Sequence, residues 1–124
     1  YYSQDMTTDQ PTKVMIAEII REKVLHYTDE EIPHGVMVEI DSLEEKKNNL
    51  INIQATIYVE RENHKKIIIG KDGRKIKGIG VAARKELEDR FEARINIELW
   101  VKTKENWRDN ESNIKNFGFN SREI

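Results

Sequence analysis

Apolar and polar residues alternate along three segments of the chain, and this alternation predicts three β-strands that each bury one face. The second strand has the most regular pattern, because polar residues and one tyrosine separate its apolar residues. Trp100, in the third strand, is predicted to face away from the core. The segment Ser42–Asn49, between the first two strands, is predicted to be an exposed hairpin loop. The apolar positions are Val36, Val38 and Ile40 in the first strand, Ile51, Ile53, Ala55, Ile57 and Val59 in the second, and Ile95, Ile97, Leu99 and Val101 in the third.

Apolar residues recur at intervals of three and four in two other segments, which predicts amphipathic helices. The first helix is expected over Thr12–His26, with Thr12 as its cap. It is expected to end before Pro33, because the residue before a proline avoids helical backbone angles. The second is expected over about Gly73–Arg90, although Gly78 and Gly80 each cost roughly 1 kcal/mol relative to alanine. The apolar stripes are Val14, Ala17, Ile20 and Val24, flanked by Ile16 and Ile19, in the first helix, and Ile76, Ile79, Ala83, Leu87 and Phe91 in the second.

Two further segments complete the outline. Ile67–Ile69 has strand propensity and would form a fourth short strand, but a helical turn there would give the order helix, strand, strand, helix, helix, strand. Glu105–Phe119, with Trp107, Ile114 and Phe117, is expected to form a short closing helix. Because three strands with one apolar face each need helices over that face, the pattern predicts a two-layer α+β domain.

Composition limits the possible classes of protein. A chain of 124 residues with 37% apolar and 35% charged residues suits one small domain with one core. The absence of cysteine excludes disulfides, thiolate catalysis and cysteine-ligated zinc. No apolar run approaches the roughly 20 residues of a membrane span. Because the chain begins with Tyr1, we expect a fragment or processed product, with a linker or disordered tail over residues 1–11, the domain over 12–119 and a second disordered tail over 120–124.

The segment Gly70–Gly73 is the strongest candidate for a binding loop. Two glycines three residues apart allow a tight turn and the close approach of another molecule to the backbone. The helix that follows would present unpaired N–H groups and the positive end of its dipole, which favour phosphate. The cations in and after the loop are Lys71, Arg74, Lys75 and Lys77. By itself, this pattern is most simply a tight turn before a helix.

The distribution of charge favours a binding role for the loop. From Arg61 to Lys85 the chain has nine basic and two acidic residues, a local net charge of +7 in a chain whose total is −2. A mildly acidic protein whose cations surround one glycine turn has the electrostatic pattern of a nucleic-acid site. A solvated basic helix face is the alternative explanation.

Six motifs together resemble the C-terminal domain of the Era family of bacterial GTPases, a KH domain of the type II arrangement. The resemblance covers about Thr12 to Phe119 and implies helical turns, instead of a strand, for Ile67–Ile69. It implies a two-layer α+β fold with a three-stranded sheet, helices on one face and a short C-terminal helix. The motifs are Glu18–Lys23, Glu31–His34, Ala55–Arg61, Ile68–Gly73, Ile79–Lys85 and Glu98–Lys102, followed by Trp107.

The resemblance implies binding to the single-stranded 3′ end of 16S ribosomal RNA during maturation of the small (30S) ribosomal subunit. It also implies a partner in the parent protein, an N-terminal GTPase domain that would hold GTP and Mg²⁺. This chain has no Gly-x4-Gly-Lys-Ser/Thr phosphate-binding motif, since Ile79 follows the correctly spaced Gly73 and Gly78. We therefore expect a non-catalytic fragment without a cofactor, no DNA partner, and a cytoplasmic location with peripheral association of the full-length protein with the inner membrane face.

The residues predicted to contact RNA are the glycine loop, its neighbours and the basic residues before it. Ile68, Ile69, Ile76 and Ile79 are interpreted either as apolar walls under the bases or as core residues, and the middle strand is expected to offer groups to base edges. Asp72 departs from the family, in which a basic or neutral residue is frequent, and either weakens phosphate contact or caps the next helix. The full set is Arg61, Lys65, Lys66, Ile68, Ile69, Gly70, Lys71, Asp72, Gly73, Arg74, Lys75, Ile76, Lys77 and Ile79.

Two other functions stay open from the sequence. The chain could be a protein-docking module, because Trp100 and Trp107 or the acidic helix could contact a partner domain. It could also be a regulatory arm of its parent GTPase with weak RNA binding of its own. A metal site is not indicated, since His26, His34 and His64 lack the spacing of metal ligands.

Overall fold

The computed structural model describes residues 9–29, 31–32, 35–104 and 117–120. It confirms the predicted order of three helices and three strands, and it adds a short fourth strand. Within the described part of the chain, no helix combines the length and the apolar character needed to cross a bilayer. The elements are α1 (Asp9–Thr28), β1 (Met37–Lys46), β2 (Leu50–Val59), α2 (Glu62–Ile69), a 3₁₀ turn (Lys71–Gly73), α3 (Arg74–Phe91), β3 (Arg94–Thr103) and β4 (Phe117–Asn120).

The four strands form one mixed sheet in the order β1-β2-β3-β4. β1 and β2 are an antiparallel hairpin, β2 and β3 are parallel, and β4 is antiparallel to β3. In the parallel pair Ile53 lies opposite Ile97, and in the hairpin the same Ile53 lies opposite Leu43. This register places the apolar residues of all three long strands on one face.

The helices cover that apolar face and produce the predicted two-layer core. Ile53, Ala55, Ile57 and Val59 of β2 are at most 1% exposed, as the alternating pattern predicts. Each isoleucine buried in this way contributes roughly 1.5–3 kcal/mol of transfer free energy. Ten of the twelve largest fully buried side chains among the described residues are isoleucines, so the core is predominantly β-branched. Helix α3 contributes Ile76, Ile79, Ala83 and Leu87, and α1 contributes Ile16, Ile19, Ile20 and Val24.

Strand β1 is longer than predicted. Ser42–Lys46 continues the strand, so the prediction of a loop over Ser42–Asn49 is wrong for those five residues, and the turn is confined to Lys47–Asn49. A register shift between Ile40 and Ser42 changes the two-residue alternation, which conceals the strand from a search for that period. Asn48 and Asn49 have φ of 64° and 57°, a left-handed conformation that asparagine tolerates better than most residues.

Helix α1 begins at Asp9, three residues before the predicted cap at Thr12. Pro11 is compatible with this start because the first turn of a helix has no partner for the N–H that proline lacks. Val14, predicted on the apolar stripe, is 59% exposed, and the buried stripe instead follows Ile16, Ile20 and Val24.

Two segments decide between expectations: Ile67–Ile69, on which propensity and resemblance differed, is helical, and Phe117–Asn120, which overlaps the expected closing helix, is a strand. Ile67–Ile69 belongs to α2, so the strand propensity was wrong and the helical turn implied by the resemblance is confirmed. Within α2, the buried residues Lys65 and Ile68 are three positions apart, which is helical spacing. Phe117 to Phe119, expected at the end of a closing helix, belong to β4, while the rest of that segment lies outside the described residues.

Helices α1 and α3 pack closely at two points. A Cβ atom on Gly78 would lie 2.6 Å from Cε2 of Tyr27, so glycine lets the tyrosine ring lie against the helix backbone. Lys23 Nζ donates a hydrogen bond of 2.6 Å to Glu86 Oε1, and Arg90 Nε lies 3.5 Å from Glu86 Oε2. The hydrogen bond from Lys23 is the main cause that lowers the pKa of Glu86, and it raises the pKa of Lys23.

Glu86→Gln should therefore change the acid sensitivity of the fold. Because the folded-state pKa of Glu86 is depressed, its contribution to stability is present at neutral pH and is lost as the pH falls through the folded-state value. We expect the variant to be less stable by up to about 1 kcal/mol at neutral pH, the upper range for a partly exposed ion pair. Urea unfolding near pH 7 and near pH 3 measures this, and the difference from wild type should be smaller at the acidic pH. Glu18→Gln, an exposed position on α1, is the control; a Glu86→Gln effect of the same size at both pH values would contradict the assignment.

Candidate nucleic-acid interface

The glycine loop reverses the chain between α2 and α3. The N–H of Gly70 donates to the carbonyl of Lys66 (2.9 Å), which ends α2, and the N–H of Gly73 donates to the carbonyl of Gly70 (3.2 Å). Gly70 has φ 75° and ψ 175°, and Gly73 has φ 73° and ψ 16°. Both conformations lie at positive φ, where a side chain is strained. The backbone path therefore requires glycine at position 70, whereas at position 73 it favours glycine in a conformation that asparagine also adopts.

Gly70 also has a steric reason to lack a side chain. A Cβ atom there would lie 2.8 Å from Cγ of Lys75 and 3.0 Å from its backbone nitrogen. The loop folds back against the first turn of α3, with no space for a methyl group between them. Packing within the protein is thus a second reason for glycine at position 70.

Asp72 adopts a left-handed conformation, with φ 57° and ψ 26°. Aspartate is one of the few residues that tolerate this conformation. The N-cap of α3 is Gly73, and no side chain makes a capping hydrogen bond there, so Asp72 does not act as the predicted cap. Its carboxylate is exposed, close to the positive end of the α3 dipole.

The cations of the loop are not equivalent. Lys71, Arg74 and Lys77 are exposed, whereas Lys75 is half-buried with its Nζ 3.2 Å from Glu31 Oε1. This ion pair reduces the share of the Lys75 charge that is available to a ligand. The three exposed cations therefore give the loop most of its positive potential.

The basic residues before the loop also differ in how exposed they are. Arg61 and Lys66 are exposed, but Lys65 is 8% exposed, with its Nζ 3.9 Å from Glu62 Oε2. Glu62 in turn accepts a hydrogen bond of 2.9 Å from the hydroxyl of Thr103 in β3. Lys65 therefore belongs to the junction between α2 and the sheet, and its predicted contact with RNA is not supported by its position.

Three of the four predicted apolar contacts are core residues. Ile68, Ile76 and Ile79 have no exposed surface, so they cannot form walls under bases as one interpretation of the sequence proposed. Ile69 is the member of the set that is partly exposed. The sequence shows that all four residues are apolar, but it does not show which of them are buried. Ile69 is the one whose partial exposure lets it contact a ligand.

The middle strand does not offer its backbone to a ligand. β2 pairs with β1 on one side and with β3 on the other, which uses its N–H and C=O groups in the sheet. The residues on its helix-facing side are buried, and the polar residues Asn52 and Gln54 lie on the opposite face, away from the loop. Contact between base edges and the backbone of β2 is therefore not supported, and contact through its side chains stays a prediction.

Tyr27 and Glu31 are neighbours of the loop that the sequence did not indicate. Tyr27, 37% exposed, packs on Gly78 one turn into α3, and Glu31 forms the ion pair with Lys75. Both residues are more than 40 positions away from their partners, so no local pattern connects them. Tyr27 lies in the last turn of α1, and Glu31 follows that helix. Both reach the vicinity of the loop because α1 packs on α3.

Comparison with known proteins finds matches that cover most of the chain. The family model described as a KH domain matches residues 31–108. A GTPase Era from Clostridioides difficile (strain 630) is 53% identical over 123 residues, which are 98% of this chain and 41% of that protein. A GTPase Era from Ruminiclostridium cellulolyticum is 54% identical over 119 residues, covering 96% of this chain and 40% of that protein. The chain thus spans about two fifths of the length of the curated relatives it matches, at their C-terminal part.

Two solved structures share the fold. A point variant of Aquifex aeolicus Era bound to GDP and AlF4⁻ superposes with a TM-score of 0.73 at 40% identity, over 82% of this chain and 35% of that chain. Era in complex with MgGDPNP and nucleotides 1506–1542 of 16S ribosomal RNA gives a TM-score of 0.73 at 40% identity, over 84% of this chain and 35% of that chain.

The two loop glycines should differ in their tolerance of substitution. Gly70 lies in a region of φ and ψ that is essentially limited to glycine, so Gly70→Ala should cost about 1–3 kcal/mol of stability. Gly73 lies in the left-handed helical region that asparagine visits, so Gly73→Asn should cost about 1 kcal/mol or less. Urea unfolding followed by circular dichroism measures both changes. Equal costs would contradict the described loop conformation.

Proposed function

The chain belongs to the KH domain family, and we propose that it binds single-stranded RNA with the Gly70–Gly73 loop placed against the sugar-phosphate backbone. The observation that carries this proposal is the loop itself: two positive-φ glycines at the start of an uncapped helix, surrounded by exposed cations. The chain matches the part of its relatives that lies at their C-terminus. We therefore assign it RNA recognition and not GTP hydrolysis.

The loop would recognise the backbone of RNA through three features that act on the same phosphates. The glycines allow close approach, the N-terminus of α3 supplies the positive end of a helix dipole, and Lys71, Arg74 and Lys77 supply mobile charges. None of these features distinguishes one base from another. The loop would accordingly set affinity and register, while sequence is read elsewhere.

The surface around the loop, which RNA bases would contact, has little exposed apolar area. Ile69 is the predicted apolar contact that is partly exposed, and Tyr27 lies close to the first turns of α3. Single-stranded bases are usually read by their edges and by stacking on side chains. We propose that Ile69 contacts a base directly adjacent to the phosphates held by the loop.

The target that we propose is the 3′ end of 16S ribosomal RNA, in the context of the small ribosomal subunit. A relative that shares the fold at 40% identity was solved with nucleotides 1506–1542 of that RNA, which supports this choice. We further propose that the parent protein is a GTPase whose N-terminal domain binds GTP and Mg²⁺ and couples nucleotide state to RNA binding. Cytoplasmic location and peripheral membrane association of the parent stay predictions of the resemblance.

A protein-docking role is the second candidate, and one observation favours it. Trp100 is 37% exposed and Met37 is 49% exposed on the sheet face opposite the helices, where both side chains would be available to a partner. Trp107 lies outside the described residues.

Replacing the exposed loop cations should weaken RNA binding strongly. We expect the double variant Lys71→Ala, Arg74→Ala to bind a short single-stranded RNA copying the 16S 3′ end about tenfold more weakly or worse, since removing a cation near a phosphate costs roughly 1 kcal/mol. The slope of log affinity against log salt should become less steep by about 0.7 for each phosphate that the variant no longer neutralises. Fluorescence anisotropy at several salt concentrations measures both quantities.

The matched control for this experiment is Lys46→Ala, Lys47→Ala, which removes the same charge from two exposed residues at the end of β1 and the start of the turn that follows it. An equal loss of affinity in the control would show that net charge, and not the loop, governs binding. Failure of the folded wild-type chain to bind would reject autonomous RNA recognition and favour the docking or regulatory role.

Asp72→Asn should strengthen binding. Asparagine keeps the left-handed conformation and removes a negative charge beside the phosphates, which is worth about 1 kcal/mol or a few-fold in affinity. The same anisotropy titration at low salt tests this, with Asp89→Asn, an exposed carboxylate near the other end of α3, as the control. Unchanged affinity for Asp72→Asn would mean that the carboxylate does not face the RNA.

A further inference from the structure

Strand β1 forms an edge of the sheet. It pairs with β2 on one side, and no other strand in the described ranges pairs with its free side. An edge strand presents a row of backbone N–H and C=O groups that can bind another extended chain. This edge therefore has the hydrogen-bonding capacity for one additional strand.

A groove runs along the first half of this edge, between β1 and α1. Its helix side consists of Gln10, Lys13, Val14 and Ala17, and its strand side is Met37–Ile40. Val14 is 59% exposed and Met37 is 49% exposed. These are two of the four large hydrophobic side chains that are exposed in the described part of the chain; Val14 lies on the helix side of the groove, and Met37 borders the groove from the sheet face opposite the helices.

The regular part of the edge coincides with the groove. The register shift between Ile40 and Ser42 interrupts β1 directly after the groove ends. Bulges of this kind protect edge strands from unwanted pairing. Here the bulge leaves Met37–Ile40 as a regular four-residue edge beside the groove.

The charge on β1 limits what can bind there. The strand has four acidic residues, Glu39, Asp41, Glu44 and Glu45, against Lys46. Asp41 accepts a hydrogen bond from the hydroxyl of Thr56 (2.6 Å), and burial together with Glu39 and Asp41 raises the pKa of the adjacent Tyr58. Antiparallel pairing of β1 with a second copy would bring these carboxylates together, which disfavours self-association. Lys13 lines the helix side of the groove, so basic residues of a partner are complementary to the opposite face of the strand, where Glu39 and Asp41 lie.

We propose that an extended basic segment of a partner protein adds to Met37–Ile40 as a fifth strand. Alternation along an added strand fixes its pattern, because successive residues face opposite sides of the sheet. Residues on the helix side would pack on Val14 and Ala17, and residues on the other side would lie beside Glu39. The preferred segment thus alternates apolar and basic residues. This surface is separate from the glycine loop, and the proposal does not depend on RNA binding.

A seven-residue peptide with capped ends that alternates lysine and valine, labelled with fluorescein, tests the proposal by anisotropy on the full chain. Val14→Lys should weaken binding about tenfold, since it places a cation in the groove, and Glu39→Gln should weaken it about threefold. Glu45→Gln, an exposed carboxylate of β1 beyond the bulge, is the control and should have a smaller effect than Glu39→Gln. Amide chemical shifts in a ¹⁵N-labelled chain should change along Met37–Ile40 on addition of the unlabelled peptide.

Each alternative occupant gives a distinct result. Equal affinity for a peptide of the same composition with its lysines in one block would show attraction by charge alone and overturn the strand model. Shift changes confined to other surfaces, or no binding at millimolar peptide, would also overturn it. A dimer in light scattering that disappears in Val14→Lys would assign the groove to a second copy instead.

Discussion

The parallel pairing of β2 with β3 is the constraint from which the rest of the domain follows. Parallel neighbours cannot be joined by a tight turn, so the chain between Val59 and Arg94 must cross over the sheet. The crossover consists of α2 and α3, and both must bury their apolar stripes on the face they cross. Two helices that meet in so short a connection need a sharp reversal, and the reversal is the glycine loop. The candidate interface is therefore a consequence of sheet topology as well as of local sequence.

Local regularity explains which parts of the fold could be predicted. β2, β3 and α3 have uninterrupted periods of two or 3.6 residues, and the structure confirms them. β1 contains a bulge, which changes its period, so its second half resembled a loop. Ile67–Ile69 has the composition of a strand, but its burial against α3 and β3 makes it helical, an effect of tertiary packing on a weak preference.

In the candidate site, too, the features set by local sequence could be predicted, and the features set by packing could not. Gly70, Gly73 and the nearby cations follow from local chemistry, and the backbone angles agree with the need for glycine. Whether an isoleucine lies in the core or at a groove depends on what packs above it, which periodicity cannot report. The ion pair between Lys75 and Glu31 joins residues 44 positions apart, so only the fold reveals that one loop cation is partly neutralised.

The isoleucine-rich core has a consequence for the loop that it supports. β-Branched side chains have few rotamers, so a core built mostly from them has little freedom to repack. Helices that rest on such a core hold their ends in fixed positions, and the reversal between α2 and α3 is anchored on both sides by Ile68 and Ile76. A preorganised loop loses little conformational entropy when a ligand arrives. The stiffness of the interior is thus a thermodynamic contribution to recognition at the surface.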